Sequence, residues 1–152
     1  MTAASPGDGW DVVIKPKRTP RIACVVAAVI AIVGILVAIP LKQAHTGAVY
    51  RTADQLAIAG LALVLGGAVL LWTRPRLKVG PAGLMVRNIL DDRIVPWADV
   101  VDVSFPRGKR WARLNLEHDE YIPVLAIQTA DRDRAVDAMD TVRSLMERYR
   151  PD

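Results

Sequence analysis

The sequence predicts an α+β membrane protein in which a two-helix transmembrane hairpin is followed by a small β-barrel or bent antiparallel sheet capped by a C-terminal α-helix. Three observations carry that expectation. Two long charge-free apolar runs occupy the first half of the chain, the apolar period changes to two from Arg76 onward, and a helical period returns at the C-terminus. With 152 residues, 52% of them hydrophobic and 24% charged, the chain has room for a membrane segment and one unit of under about a hundred residues.

Residues 1–20 read as a cytoplasmic tail that opens on a small, polar, Gly- and Pro-containing stretch. Within it, Trp10 to Ile14 alternates before Pro16 interrupts. That stretch suits an edge strand added to the later domain, and equally a membrane-interface segment anchored by Trp10. Residues 21–73 read as the hairpin, with spans of about 22–41 and 55–72 and an extracytoplasmic loop over 42–54. At about 1.5 Å per residue each run approaches the ~30 Å hydrocarbon thickness. The rest of the chain could not cover two such helices in a soluble core. The first run is also too long for the apolar region of a signal peptide. Lys15, Lys17, Arg18 and Arg21 flank the first run and Arg74, Arg76 and Lys78 follow the second, whereas the loop holds only Lys42 and Arg51. By the positive-inside rule this is a multi-pass protein of the plasma (inner) membrane with both termini cytoplasmic. Ala27, Ala31, Gly34 and Ala38, and then Ala59, Ala62 and Gly66, recur at three-and-four spacing. They suit close approach of two helices in a hairpin or dimer, or simply reflect an Ala-rich sequence. Cys24 is the single cysteine, so no intrachain disulfide or cysteine cluster can form.

Leu77 and Val79 open the strand region and lead into the turn Gly80-Pro81-Ala82-Gly83, after which Leu84 to Asn88 resumes an extended pattern. Asp91-Asp92 marks a turn and Ile94 to Trp97 a short strand. Val101, Val103 and Phe105 alternate cleanly with Asp102 and Ser104, as in an extended strand. A basic turn, Pro106 to Arg110, precedes a strand with Ala112, Leu114 and Leu116 inward and Trp111, Arg113, Asn115 and Glu117 outward. His118-Asp119-Glu120 turns the chain into Tyr121 to Ile127. Asp131 and Asp133 then favour a helix N-terminus. Ala135, Ala138, Met139, Val142, Leu145, Met146 and Tyr149 follow at helical spacing.

Four stretches in this order carry a resemblance. They are Arg74-Pro75-Arg76-Leu77-Lys78-Val79, Gly83-Leu84-Met85-Val86-Arg87-Asn88, Arg93-Ile94-Val95-Pro96-Trp97-Ala98-Asp99-Val100, and Arg107-Gly108-Lys109-Arg110-Trp111-Ala112-Arg113-Leu114. Together they resemble the bacterial pleckstrin-homology-like (PH-like) domain family typified by the low molecular weight protein antigen 6 group of actinobacteria. The resemblance implies a cytoplasmic PH-like domain over residues 74–150 behind the hairpin, and no particular ligand. On physical grounds Pro96 belongs at an edge or bulge, Trp97 in the core, and Asp99 at a cap or turn.

The residues offer no nucleophile with a base, no paired carboxylates, no metal cluster and no phosphate-cradling loop, since Gly80 to Gly83 lacks the Lys-Ser/Thr of a P-loop. The chain is therefore read as a non-enzyme without a cofactor. His118, Asp119 and Glu120 diverge on one turn, and Asp54 and Gln55 suit a helix start. The one constellation above background is Arg107, Lys109, Arg110, Trp111 and Arg113, a basic turn beside an aromatic residue, which suits anionic lipid or a partner as well as a solvated turn. Two functions follow: a membrane-tethered adaptor or accessory subunit of a larger membrane complex, and a protein that contacts or senses anionic lipid. Expected partners are membrane lipids, another membrane protein and a second copy. Nucleic acid is not among them, for want of a long basic stripe.

Overall fold

The computed structural model describes residues 2–3, 9–38 and 52–150. They form two compact units, one from the residues up to Arg18 together with those from Arg74 onward, the other from Thr19–Thr73. The loop expected over 42–54, with Lys42, His45 and Arg51, lies outside the described residues except for Thr52, Ala53 and Asp54.

The second unit is a pair of helices, α1 (Arg18–Ala38) and α2 (Thr52–Leu70), the latter continued by a 3-10 turn at Leu71–Thr73. Both are long and apolar enough to cross a membrane. Their buried residues are small, namely Ala23, Ala27, Gly34 and Gly66. Ile22, Val29, Ile32, Leu36, Leu63 and Val64 are exposed. The small residues meet one another across the pair. A Cβ added to Gly34 would overlap the Ala62 Cβ, and one on Gly66 would come within 3.6 Å of the Ala27 carbonyl. Gln55 Nε2 donates to the Ala38 carbonyl at 3.0 Å, satisfying an acceptor that the end of α1 leaves without a helical partner.

Among the described residues, the first unit holds eight antiparallel strands and a helix. One sheet holds β1 (Thr2–Ala3), β2 (Val12–Ile14), β3 (Arg76–Gly80), β4 (Gly83–Arg87) and β5 (Asp92–Val95) in that order. A second holds β6 (Val100–Ser104), β7 (Trp111–Leu116) and β8 (Tyr121–Gln128), and α3 (Asp133–Tyr149) follows. The stretch before Pro16 is thus a strand, and not an edge one. Val12 pairs with Val79 and Ile14 with Leu77, while β1 pairs along its other side. The β3–β4 turn closes on the pair Gly80 and Gly83. Gly83 has φ +129° and a Cβ there would overlap the Val95 carbonyl, so glycine is required on both counts.

Leu77, Val79, Leu84, Val86, Leu114, Val124 and Ile127 from the strands, with Val142 from α3, are fully buried and form one core. Trp97 joins them at 4% exposure. It lies in a 3-10 turn (Trp97–Asp99) that Pro96 precedes, its indole Nε1 donates to the Gly80 carbonyl at 2.9 Å, and its ring stacks on Tyr149. In β6 the expected alternation fails at its start. Val100 and Val103 are buried and Val101 is exposed, because the register against β7 shifts between Val100 and Asp102. The free edge of β6 is met by Arg143 of α3, whose Nη2 donates to the Val103 carbonyl at 3.5 Å, and by Arg150 just beyond the helix, whose Nη1 donates to the Val101 carbonyl at 3.3 Å. Asn88 joins the two sheets. Its side-chain Nδ2 donates to the Pro123 carbonyl at 2.9 Å and its Oδ1 accepts from the Leu125 N–H at 3.3 Å, so one side-chain amide does the work of a ladder peptide.

Candidate functional site

The basic turn between β6 and β7 is tight. Lys109 N–H donates to the Pro106 carbonyl at 3.1 Å, and Gly108 takes φ +77°, a backbone angle that side chains disfavour. Arg107, Lys109 and Arg110 are therefore presented to solvent, and all three are exposed. Entering β7, Trp111 pairs with Gln128 and keeps 40% of its surface exposed. Arg113 points the same way two residues on, and its guanidinium lies over the Tyr121 ring at 4.6 Å from the centroid.

The five residues singled out from sequence separate into two groups. Lys109, Trp111 and Arg113, with Pro106, Tyr121 and Pro123, line a shallow cleft of about 220 Å³. Arg107 and Arg110 stand apart from it on the turn. Tyr121 and Pro123 are not marked by the sequence as part of this site, because they enter through register. Arg113 pairs with Pro123 and Asn115 with Tyr121, and the shift between Trp111 and Ala112 sets that alignment. The alternation of β8 marks Tyr121 as outward facing, but nothing local places it beside Arg113.

The turn is tied to the place where α1 begins. The Arg110 carbonyl accepts from the Thr129 N–H at 2.9 Å. Thr129 opens a 3-10 turn that ends at Asp131, and the Asp131 carboxylate accepts from the N–H groups of Lys17, at 3.2 Å, and Arg18, at 3.1 Å. Asp131 was expected at the N-terminus of α3. It instead holds the chain at its entry to α1, and Arg132, at φ +48°, occupies the cap position of α3. Of the basic residues expected to flank a membrane, Lys15, Lys17, Arg18, Arg21 and Arg74 are exposed. Arg76 and Lys78 are half-buried in β3, with the Lys78 ammonium 6.0 Å from the Trp10 ring centroid.

Tyr149 closes the far side of the domain. Its hydroxyl donates to Asp11 Oδ2 at 2.7 Å, so the helix that ends the fold holds the segment that begins it. That hydrogen bond, followed by desolvation and the Asp11 charge, raises the tyrosine above its ordinary pKa of 10.0. Among the described residues, no group of three His, Cys, Asp or Glu side chains is positioned to hold a metal ion.

An antiparallel sheet pair closed by a C-terminal helix is the architecture of a PH-like domain, and residues 74–145 match the family model described as the bacterial PH domain. The whole chain is 60% identical over 152 residues to uncharacterized proteins of Mycobacterium bovis and of two strains of Mycobacterium tuberculosis, covering 100% of this chain and 97% of each relative. The chain belongs to one family with these mycobacterial relatives and carries a bacterial PH domain over residues 74–145. No solved structure matches it.

Proposed function

We propose that this chain is a non-catalytic, membrane-tethered PH-like module of the plasma membrane that contacts anionic lipid through Arg107, Lys109 and Arg110. The observation that supports the reading best is the path from the basic turn to α1: Arg110 to Thr129, and Asp131 to Lys17 and Arg18. If α1 and α2 cross the bilayer, the hydrogen bonds that tie the turn to Lys17 and Arg18 keep it on the side of the membrane from which α1 starts. Each Lys or Arg near an anionic leaflet contributes roughly 1 kcal/mol. The basic flanks orient both ends of the hairpin toward the cytoplasm. The likeness of plan to the antigen 6 group, a hairpin and then the domain, agrees with that topology.

A second reading, an adaptor or accessory subunit of a membrane complex, is favoured by the cleft. Trp111 and Tyr121 are exposed aromatics beside Arg113, the residue types that dominate protein recognition. One preparation tests both readings. The full-length protein and its Arg107→Ser/Lys109→Ser/Arg110→Ser variant are extracted from native membranes in polymer discs, and co-extracted lipids and proteins are quantified by mass spectrometry. Loss of three charges lowers affinity for anionic lipid on the order of a hundredfold. Unchanged anionic lipid enrichment in the variant rejects the lipid site. A second protein recovered at near-equal amount with both forms favours the adaptor, and a second copy favours a homo-oligomer.

A further inference from the structure

We infer that the β4–β5 turn is a membrane-inserting tip, with Leu90 entering the boundary between headgroups and acyl chains of the bilayer that anchors α1 and α2. The inference rests on the membrane reading above. Leu90 is 87% exposed, the most exposed large hydrophobic residue among those described in the sheeted unit, and it sits at the apex of a hairpin. A single exposed leucine is ordinarily unremarkable; what gives this one meaning is where the strand register puts it.

Arg76 pairs with Arg87 and Arg87 with Asp92, so the Asn88–Asp91 turn lies at the Arg76 end of the sheet. Ile14, opposite Leu77, ends β2 at that same end. Only Lys15, Pro16 and Lys17 separate β2 from α1, and only Arg74 and Pro75 separate the Leu71–Thr73 turn from β3. Those links reach at most about 14 Å and 11 Å. The links thus keep the Arg76 end of the sheet, which carries Leu90, within about 14 Å of chain from the helices that a bilayer would hold. The Gly80–Gly83 turn is at the opposite end.

The tip is also built to project. Asn88 N–H donates to the Asp91 carbonyl at 2.8 Å, closing the turn, and the Asn88 side chain is held by β8. The acidic residues there are compensated: Asp92 pairs with Arg87 at 3.2 Å and Asp91 with Arg93 at 3.7 Å. An apolar apex above balanced ion pairs suits the interface, where the leucine meets acyl chains and the pairs stay at headgroup level.

The test uses full-length protein carrying Cys24→Ser and one new cysteine at a time, Leu90→Cys, Ala82→Cys or Ile32→Cys. Each is labelled with an environment-sensitive fluorophore and reconstituted in vesicles of phosphatidylcholine and phosphatidylglycerol. Ala82 is exposed at the opposite turn and Ile32 is exposed on α1. Quenching is read with a water-soluble quencher and with one carried on a lipid chain. The Leu90 probe is expected to be severalfold less open to the aqueous quencher than the Ala82 probe, and to be quenched from the lipid. If the Leu90 probe matches the Ala82 probe while the Ile32 probe is quenched from the lipid, insertion fails and the membrane reading stands. If the Ile32 probe is not quenched from the lipid, both fail. A Leu90 probe shielded from both quenchers is covered by protein, which also overturns the inference.

Discussion

The two units bury opposite kinds of residue. In the sheeted unit the largest fully buried side chains are Leu77, Leu84, Leu114, Ile127 and a set of valines, whereas the helix pair buries Ala23, Ala27, Gly34 and Gly66 and turns Leu36, Leu61, Leu63 and Val64 outward. In water the first arrangement is favourable and the second is not, because burial of large apolar side chains is what drives folding there. Where the solvent is hydrocarbon, exposing leucine costs nothing and close backbone contact through small residues becomes the source of association. If the helix pair lies in a bilayer, the difference between the units is the difference between the two media.

The sharpest way to break that comparison is to make the same substitution on both sides. Leu114→Ala should destabilise the sheeted unit by about 2–5 kcal/mol, since the site is enclosed and leaves a cavity. Leu63→Ala, on the outer face of α2, should change the stability of the helix pair in lipid discs by less than about 0.5 kcal/mol. Equal losses in denaturant titrations of the two variants would remove the distinction. Gly34→Leu inverts the logic of size. Enlarging the one position where a Cβ already overlaps Ala62 should cost about 1–3 kcal/mol in the helix pair and leave unfolding of the sheeted unit unchanged. A neutral result would mean that the small-residue contact contributes nothing.

The smallest expected effect concerns Tyr149. Its raised pKa means that the protonated, bonded form is the one the fold favours, so the latch to Asp11 is fully present below pH 10.0 and is lost as pH climbs through the raised value. Tyr149→Phe should lower stability slightly at neutral pH, where the latch is present, and flatten the alkaline fall. An identical alkaline slope in the variant would show that the latch has no energetic weight.

The elements themselves were legible because each obeys one period over several residues. Leu77 with Val79, Ala112 with Leu114, and the helical spacing from Ala135 to Leu145 all bury the face their pattern marks. Val101 misled because a register shift is an event between strands, invisible in either one alone. The candidate site was legible only along β7. Lys109, Trp111 and Arg113 are close in sequence, whereas Tyr121 reaches Arg113 through pairing with a neighbouring strand. Asp131 misled for a related reason. A carboxylate before a helix has a local use as a cap, and its partners Lys17 and Arg18 are more than a hundred positions away.

The pairing of β2 with β3 sets a rule of parity on everything between them. Strands that share a ladder must reach the same compartment, so any membrane crossed between Ile14 and Arg76 must be crossed an even number of times. One helix inserted without the other would strand Val12–Ile14 across the bilayer from its partner and leave Leu77 and Val79 on a bare edge. If α1 and α2 cross a bilayer, completion of the sheet has to follow the threading of both, and a fragment starting at Arg74 lacks the strand that completes it.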